Sequence, residues 1–224
     1  MNPGEAGLAQ KKLRLLMELR RAGIGDTRVL GAIEKTPREQ FVPAAFEGQA
    51  YENIALPIGH GQTVSQPYIV ALMTEALLPD ARHPVVEIGT GSGYQTAVLA
   101  RLCRRVFSIE RHRDLLREAE RRFAALRLTN IVCRLGDGSK GWPEQLPYQR
   151  VIVTAAAAEV PSALADGLAP GGVLIVPVGP DRQDQKLLRS RRDEHGFSTE
   201  ELAPVRFVPL IVGGSGRLSD PDLT

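Results

Sequence analysis

Cysteine is scarce in this chain. Two residues, Cys103 and Cys133, serve 224 positions, both in apolar surroundings. Two thiols cannot build a disulfide framework in a chain of this length. The expectation is a pair of buried, reduced cysteines in a cytoplasmic protein. Strong charge of one sign is missing too: the formal net charge is +2, which exerts no general pull on nucleic acid. Arginines are numerous, but many alternate with glutamates, as in Arg117, Glu118, Glu120 and Arg121, the pattern of a solvated helix face. No apolar run approaches the length of a membrane span, and the N-terminus has no apolar signal core. His60, His83, His112 and His195 lack metal-ligand spacing, so no metal is expected. There is no internal repeat and no low-complexity linker.

What remains is an ordinary folded composition, 43% hydrophobic and 24% charged, long enough to bury a sizeable core. Leucines 8, 13, 15, 16 and 19 predict an amphipathic helix over 6–22. Asp26 or Thr27 caps a second helix running to Glu34, with Pro37 beyond its end. Residues 41–62 read as irregular, and 66–78 as a helix. A strand–helix alternation follows. Strands are predicted at 84–88, 105–109, 130–135, 150–154 and 172–177, and helices at 93–102, 112–126 and 160–168, with a short turn near 140–145. This alternation predicts a doubly wound parallel α/β sheet. Two further strands, 185–192 and 202–209, are expected to be antiparallel. The organisation predicted is one domain over 1–212, with an N-terminal helical and loop region to about residue 80, and a mobile tail from Gly213.

The most informative stretch is Val85-Val-Glu-Ile-Gly-Thr-Gly-Ser-Gly-Tyr-Gln-Thr-Ala97. An apolar strand meets Glu87 and then the loop Gly89, Thr90, Gly91, Ser92, Gly93. Glycines let a ligand approach the main chain, and a loop at the carboxyl end of a parallel strand builds a nucleotide-type site. The third glycine comes one residue too early for the dinucleotide fingerprint. Glu87 suits an ammonium or sulfonium ligand better than a pyrophosphate. The acid-x-G-x-G-x-G pattern resembles the first motif of S-adenosylmethionine-dependent methyltransferases. The next strand ends in Glu110, 21 residues beyond Gly89, followed by Arg111. An acid there can accept from both ribose hydroxyls. The third strand ends in Gly136-Asp137-Gly138, where Asp137 can accept from an adenine amino group; a plain Asp-Gly turn is the alternative. Upstream, Thr63-Val64-Ser65-Gln66-Pro67 is a polar, turn-prone run. Ser65 is either a binding residue or the N-cap of the helix that follows. No histidine–acid pair stands ready to activate it as a hydrolase nucleophile.

Taken in order, Ala55-Leu-Pro-Ile-Gly-His-Gly-Gln-Thr-Val-Ser-Gln-Pro67, the glycine loop, Gly136-Asp-Gly138, Val151-Ile-Val-Thr-Ala-Ala156 and Arg206-Phe-Val-Pro-Leu210 resemble the protein-L-isoaspartate O-methyltransferases from about Leu13 to Leu210. The glycine loop marks the superfamily alone; Thr63–Pro67 and Val208–Leu210 are the specific parts. The resemblance implies a Rossmann-like methyltransferase fold that uses S-adenosyl-L-methionine, leaves S-adenosyl-L-homocysteine, and acts on isoaspartyl proteins and peptides as a cytoplasmic monomer. It implies Ser65 as the active-site serine, Thr63 and Val64 in its pocket, and Val208, Pro209 and Leu210 as backbone contacts for the substrate. It puts Glu110 at the ribose and Asp137 at the adenine. Gln149 stands where relatives usually carry an acid, and Ser139 where a larger residue is common. Two rivals remain open: a methyltransferase for a small molecule or RNA, and a non-catalytic protein that keeps the nucleotide fold.

Overall fold

A computed structural model describes residues 3–180 and 184–213, with side chains from residue 7 onward. The chain opens with α1 (Pro3–Arg21) and α2 (Thr27–Lys35). Asp26 caps α2 by accepting from the Arg28 N–H, which relieves one unpaired donor of the first turn. A hairpin follows, β1 (Leu56–Gly59) and β2 (Gln62–Val64), then α3 (Pro67–Leu77). Leu78, left-handed at φ 54°, ends α3. The hairpin lies inside the stretch read as irregular. Its strands are four and three residues long, too short for alternation to register.

The alternating part then runs β3 (Pro84–Ile88), α4 (Tyr94–Ala100), β4 (Arg105–Glu110), α5 (Arg113–Ala125), β5 (Ile131–Leu135), β6 (Tyr148–Val153), α6 (Ser162–Ala165), β7 (Leu168–Val178), β8 (Gln185–Asp193) and β9 (Gly196–Val205). Seven strands form one sheet in the order β5-β4-β3-β6-β7-β8-β9. The first five strands of that order are parallel; β8 and β9 add antiparallel pairings. The expected doubly wound sheet with N-terminal helices and C-terminal antiparallel strands is therefore present. Two boundaries differ. The helix expected at 160–168 is a single turn. The last strand covers 196–205 rather than 202–209: a tight turn at Gly196 (φ 130°) starts it early, and its mostly exposed, polar residues hide it from a hydrophobic-pattern reading.

The N-terminal helices are held by Leu15 and Leu19 of α1 and by Val29, Leu30, Ala32 and Ile33 of α2, all buried. They share a core with Tyr94, Ala97 and Val98 of α4, so the helical region packs onto the first helix of the sheet domain. The central strands are covered on both faces. Val85 packs with Met73, Leu77 and Leu99, whereas Val86 and Ile88 pack with Trp142, Tyr148 and Val151. Burial pushes both free thiols, Cys103 and Cys133, up to about 12, which suppresses thiolate chemistry.

Candidate active site

The sheet order reverses at β3. The chain passes from β3 outward to β4 and β5, then returns to place β6 on the other side. Crevices at such switch points, outside the carboxyl ends of strands, are where open α/β sheets bind ligands. Here the loop after β3 meets the end of β6 closely. The Thr154 hydroxyl donates to the carbonyls of Gly89 at 2.6 Å and Ile88 at 3.0 Å. A Cβ on Gly89 would fall 2.3 Å from the Thr154 Oγ1, so the close approach requires glycine. The loop is further fixed by Glu110 at the end of β4. Its Oε2 accepts from the Gly91 N–H and its Oε1 from the His112 N–H, both at 2.8 Å.

Above this edge lies a cavity of about 550 Å³, within the roughly 300–1,000 Å³ range of small-ligand sites. It gathers Gly89, Thr90, Gly91, Ser92, Glu110, Arg111, Asp137 and Gly138 with Thr63, Val64, Ser65, Val208, Pro209 and Leu210. Residues far apart in sequence thus share one chamber. Ser65 is not the cap of α3: that position is Gln66, and it makes no side-chain cap bond. The Ser65 hydroxyl has no hydrogen-bond partner among the described residues. Asp137 accepts from the Ser139 N–H at 2.9 Å and from the Gly213 N–H at 2.8 Å. Partial burial works against its ionisation, but these N–H donors prevail and hold its carboxyl below the usual range.

Two expected cofactor contacts lie elsewhere. Glu87 does not line the cavity. It is wholly buried, where its Oε2 accepts from the hydroxyls of Thr96 at 2.5 Å and Ser108 at 2.6 Å. Strand alternation puts residue 87 on the face of Val85, turned from the chamber. Gly93 is also absent from the lining. A Cβ there would meet Phe123 at 2.7 Å and Ala119 at 3.1 Å, so this glycine allows α5 to pack on the loop.

Other residues of the site carry no sequence signal of their own. His60, at the tip of the β1–β2 hairpin, stacks on His112 with ring centroids 5.0 Å apart, bringing the hairpin over the glycine loop. Desolvation, aided by His60 and Arg111 and opposed by Glu110, lowers the His112 pKa. Its Nε2 is buried without a partner on the cavity lining. Gln185, 1% exposed, clamps Phe207 from both sides: its Oε1 accepts from the Phe207 N–H at 2.6 Å and its Nε2 donates to the Phe207 carbonyl at 3.1 Å. The segment beyond crosses the sheet edge. The Ala156 N–H donates to the Val208 carbonyl at 2.8 Å, and the Leu210 N–H to the Ala156 carbonyl at 2.7 Å. Arg111 then donates to the Ile211 carbonyl at 2.8 Å.

The switch-point crevice, its glycine loop and the acids at successive strand ends define a nucleotide-cofactor-binding α/β protein. Comparison with known proteins narrows the class. Residues 10–215 match the model of the family described as "Protein-L-isoaspartate(D-aspartate) O-methyltransferase", and the chain belongs to that family. It is 61% identical over 204 residues to the protein-L-isoaspartate O-methyltransferase of Rhodospirillum centenum, covering 91% of this chain and 92% of the relative. The corresponding Rhodospirillum rubrum protein is 60% identical over 205 residues, with coverage of 91% and 94%. Among solved structures, a proposed protein-L-isoaspartate O-methyltransferase from Plasmodium falciparum in complex with S-adenosyl-L-homocysteine superposes with a TM-score of 0.76 at 25% identity. It covers 88% of this chain and 97% of that one. A second protein-L-isoaspartate O-methyltransferase gives a TM-score of 0.79 at 29% identity, with 91% and 66% covered.

Proposed function

We propose that this chain transfers a methyl group from S-adenosyl-L-methionine to the free α-carboxylate of L-isoaspartyl residues in damaged proteins and peptides, starting their repair through a succinimide. One observation carries the reading: the glycine loop, the Thr63–Ser65 run and the Val208–Leu210 strip of a chain in this family open into a single cavity. The residues fit the cofactor. The Glu110 carboxylate, fixed by two backbone donors, stands ready for the ribose hydroxyls, and Asp137 for the adenine amino group. The partnerless His112 Nε2 supplies a further polar contact. Glu87 lies behind the loop and reaches it only through the Ser108 hydroxyl, which bonds both Glu87 and Thr90. When bound, the cofactor supplies a sulfonium methyl group.

The protein's own part is positioning. An acceptor carboxylate is already ionised at neutral pH, so no general base is required, and the Ser65 hydroxyl donates a hydrogen bond that orients it. The Val208–Leu210 strip uses one edge for Ala156. The Pro209 carbonyl, which points to the opposite edge, has no partner among the described residues, which leaves it for the backbone of an extended peptide. Fixing both backbone and carboxylate aligns the isoaspartyl oxygen. A normal aspartyl carboxylate, one methylene farther from the main chain, falls out of line. The same reading takes residues 1–212 as one methyltransferase domain. It places the enzyme in the cytoplasm, supported by two free cysteines and by the absence, among the described residues, of any helix long and apolar enough to cross a membrane.

Mass spectrometry of an isoaspartyl peptide incubated with the enzyme and S-adenosyl-L-methionine tests the reaction. A methyl ester should appear first and a succinimide after it. Transfer to a small molecule or RNA with no peptide ester formed would replace this function by that of another methyltransferase.

A further inference from the structure

Most charged groups of the cavity are committed to the protein itself. Glu110 holds the N–H groups of Gly91 and His112, Asp137 those of Ser139 and Gly213, and Arg111 the carbonyl of Ile211. Arg206 differs. It lines the same cavity and is exposed, and its guanidinium has no hydrogen-bond or ion-pair partner among the described residues. Its mount, by contrast, is rigid. Val205 and Phe207 on either side are buried, and the Gln185 amide clamps the Phe207 main chain. Two residues on begins the strip whose free edge is read above as the peptide-binding edge. An extended peptide advances about 3.3 Å per residue, so a chain laid on that strip passes Arg206 within a residue or two of the acceptor.

We propose that Arg206 is a specificity-determining residue that recognises a carboxylate of the acceptor peptide, the side chain of an aspartate or glutamate flanking the isoaspartyl residue. The inference rests on the isoaspartyl reading of this cavity. A guanidinium matches a carboxylate through paired N–H donors, and here the donor is held in place with its head unused. Asp184 also lines the cavity and also lacks a partner among the described residues. It stands on a different segment from the strip, so it does not share Arg206's fixed spacing to the acceptor backbone.

The test uses three isoaspartyl peptides identical except for one flanking residue, Glu, Gln or Lys, with kcat and KM measured at low and high ionic strength. The wild-type enzyme should rank them Glu over Gln over Lys. The Glu-to-Gln ratio in kcat/KM should be about three- to fivefold at low salt, the scale of a solvent-exposed ion pair, and should lie in KM and shrink as salt rises. Arg206→Gln should bring that ratio to about one, Arg206→Lys should restore part of it, and Arg206→Glu should invert it; thermal melts establish that each variant is folded. Turnover without the ranking, a Lys preference, or a ranking that survives in Arg206→Gln would overturn the proposal alone. No turnover on any of the three peptides would overturn the isoaspartyl reading and the proposal with it.

Discussion

Replacing Glu87 with glutamine should flatten the dependence of stability on pH across the weakly acidic range. The carboxyl is wholly buried, and its Oε1 has no partner. Burial pushes its pKa up from an ordinary 4.5 to about 7; the hydroxyls of Ser108 and Thr96 oppose the rise and the charge of Glu110 adds to it. Between these two values the native state keeps a proton that the unfolded chain has released, so stability falls as pH increases. The contribution is complete below 4.5, where both states are protonated, and fully lost above about 7, where both are ionised. At roughly 1.4 kcal/mol per pH unit the full loss amounts to about 3.5 kcal/mol. Glutamine keeps the shape, can accept from both hydroxyls and never ionises. Denaturant unfolding at pH values from about 5 to 8 measures both proteins under the linear relation to denaturant. The wild type should lose about 2.5 kcal/mol relative to Glu87→Gln across that span, since part of the contribution is already gone at pH 5. Parallel curves throughout would refute the reasoning, because they would mean that the native carboxyl holds no extra proton.

Glu110→Ala removes the acceptor of two loop N–H groups and should weaken S-adenosyl-L-homocysteine binding by about 1–3 kcal/mol; calorimetric titration of the folded variant reads this directly. Ser65→Ala should depress methyl transfer yet leave unfolding free energy within about 0.5 kcal/mol of the wild type, since Gln66, not Ser65, occupies the cap of α3; a matching loss of stability would return Ser65 to a structural role. Gly93→Ala adds a Cβ 2.7 Å from the Phe123 ring at a φ of +89°, and overpacking of this kind should cost about 1–3 kcal/mol, visible as a lowered melting temperature.

The features legible in the sequence were those with a local signature. The glycine loop after an apolar strand, Glu110 and Asp137 at later strand ends, and the strand–helix alternation follow from spacing alone, and the sheet topology then brings them to one edge. The orientation of Glu87 was not legible. Val85, Val86, Glu87 and Ile88 are all buried, so the strand shows no inside and outside, and an acid there could serve the chamber or the helix layer behind it. Gly93 looked like its neighbours because a packing contact with α5 exists only once α5 is docked. The Gln185 clamp on Phe207 joins residues 22 apart through one side-chain amide, a pairing with no periodicity to announce it. It also helps account for the misplaced last strand: beyond Val205 the Phe207 main chain meets the Gln185 side chain instead of a strand edge, and Val208 to Leu210 bond Ala156 rather than β8.

The most direct test of the central claim compares methyl transfer from labelled S-adenosyl-L-methionine to two peptides that differ only in carrying L-isoaspartate or L-aspartate at one position. Misplacing the reacting oxygen by about 1 Å costs on the order of 100-fold in rate, so the account predicts kcat/KM at least about that much higher for the isoaspartyl peptide. Comparable rates on the two peptides would contradict it.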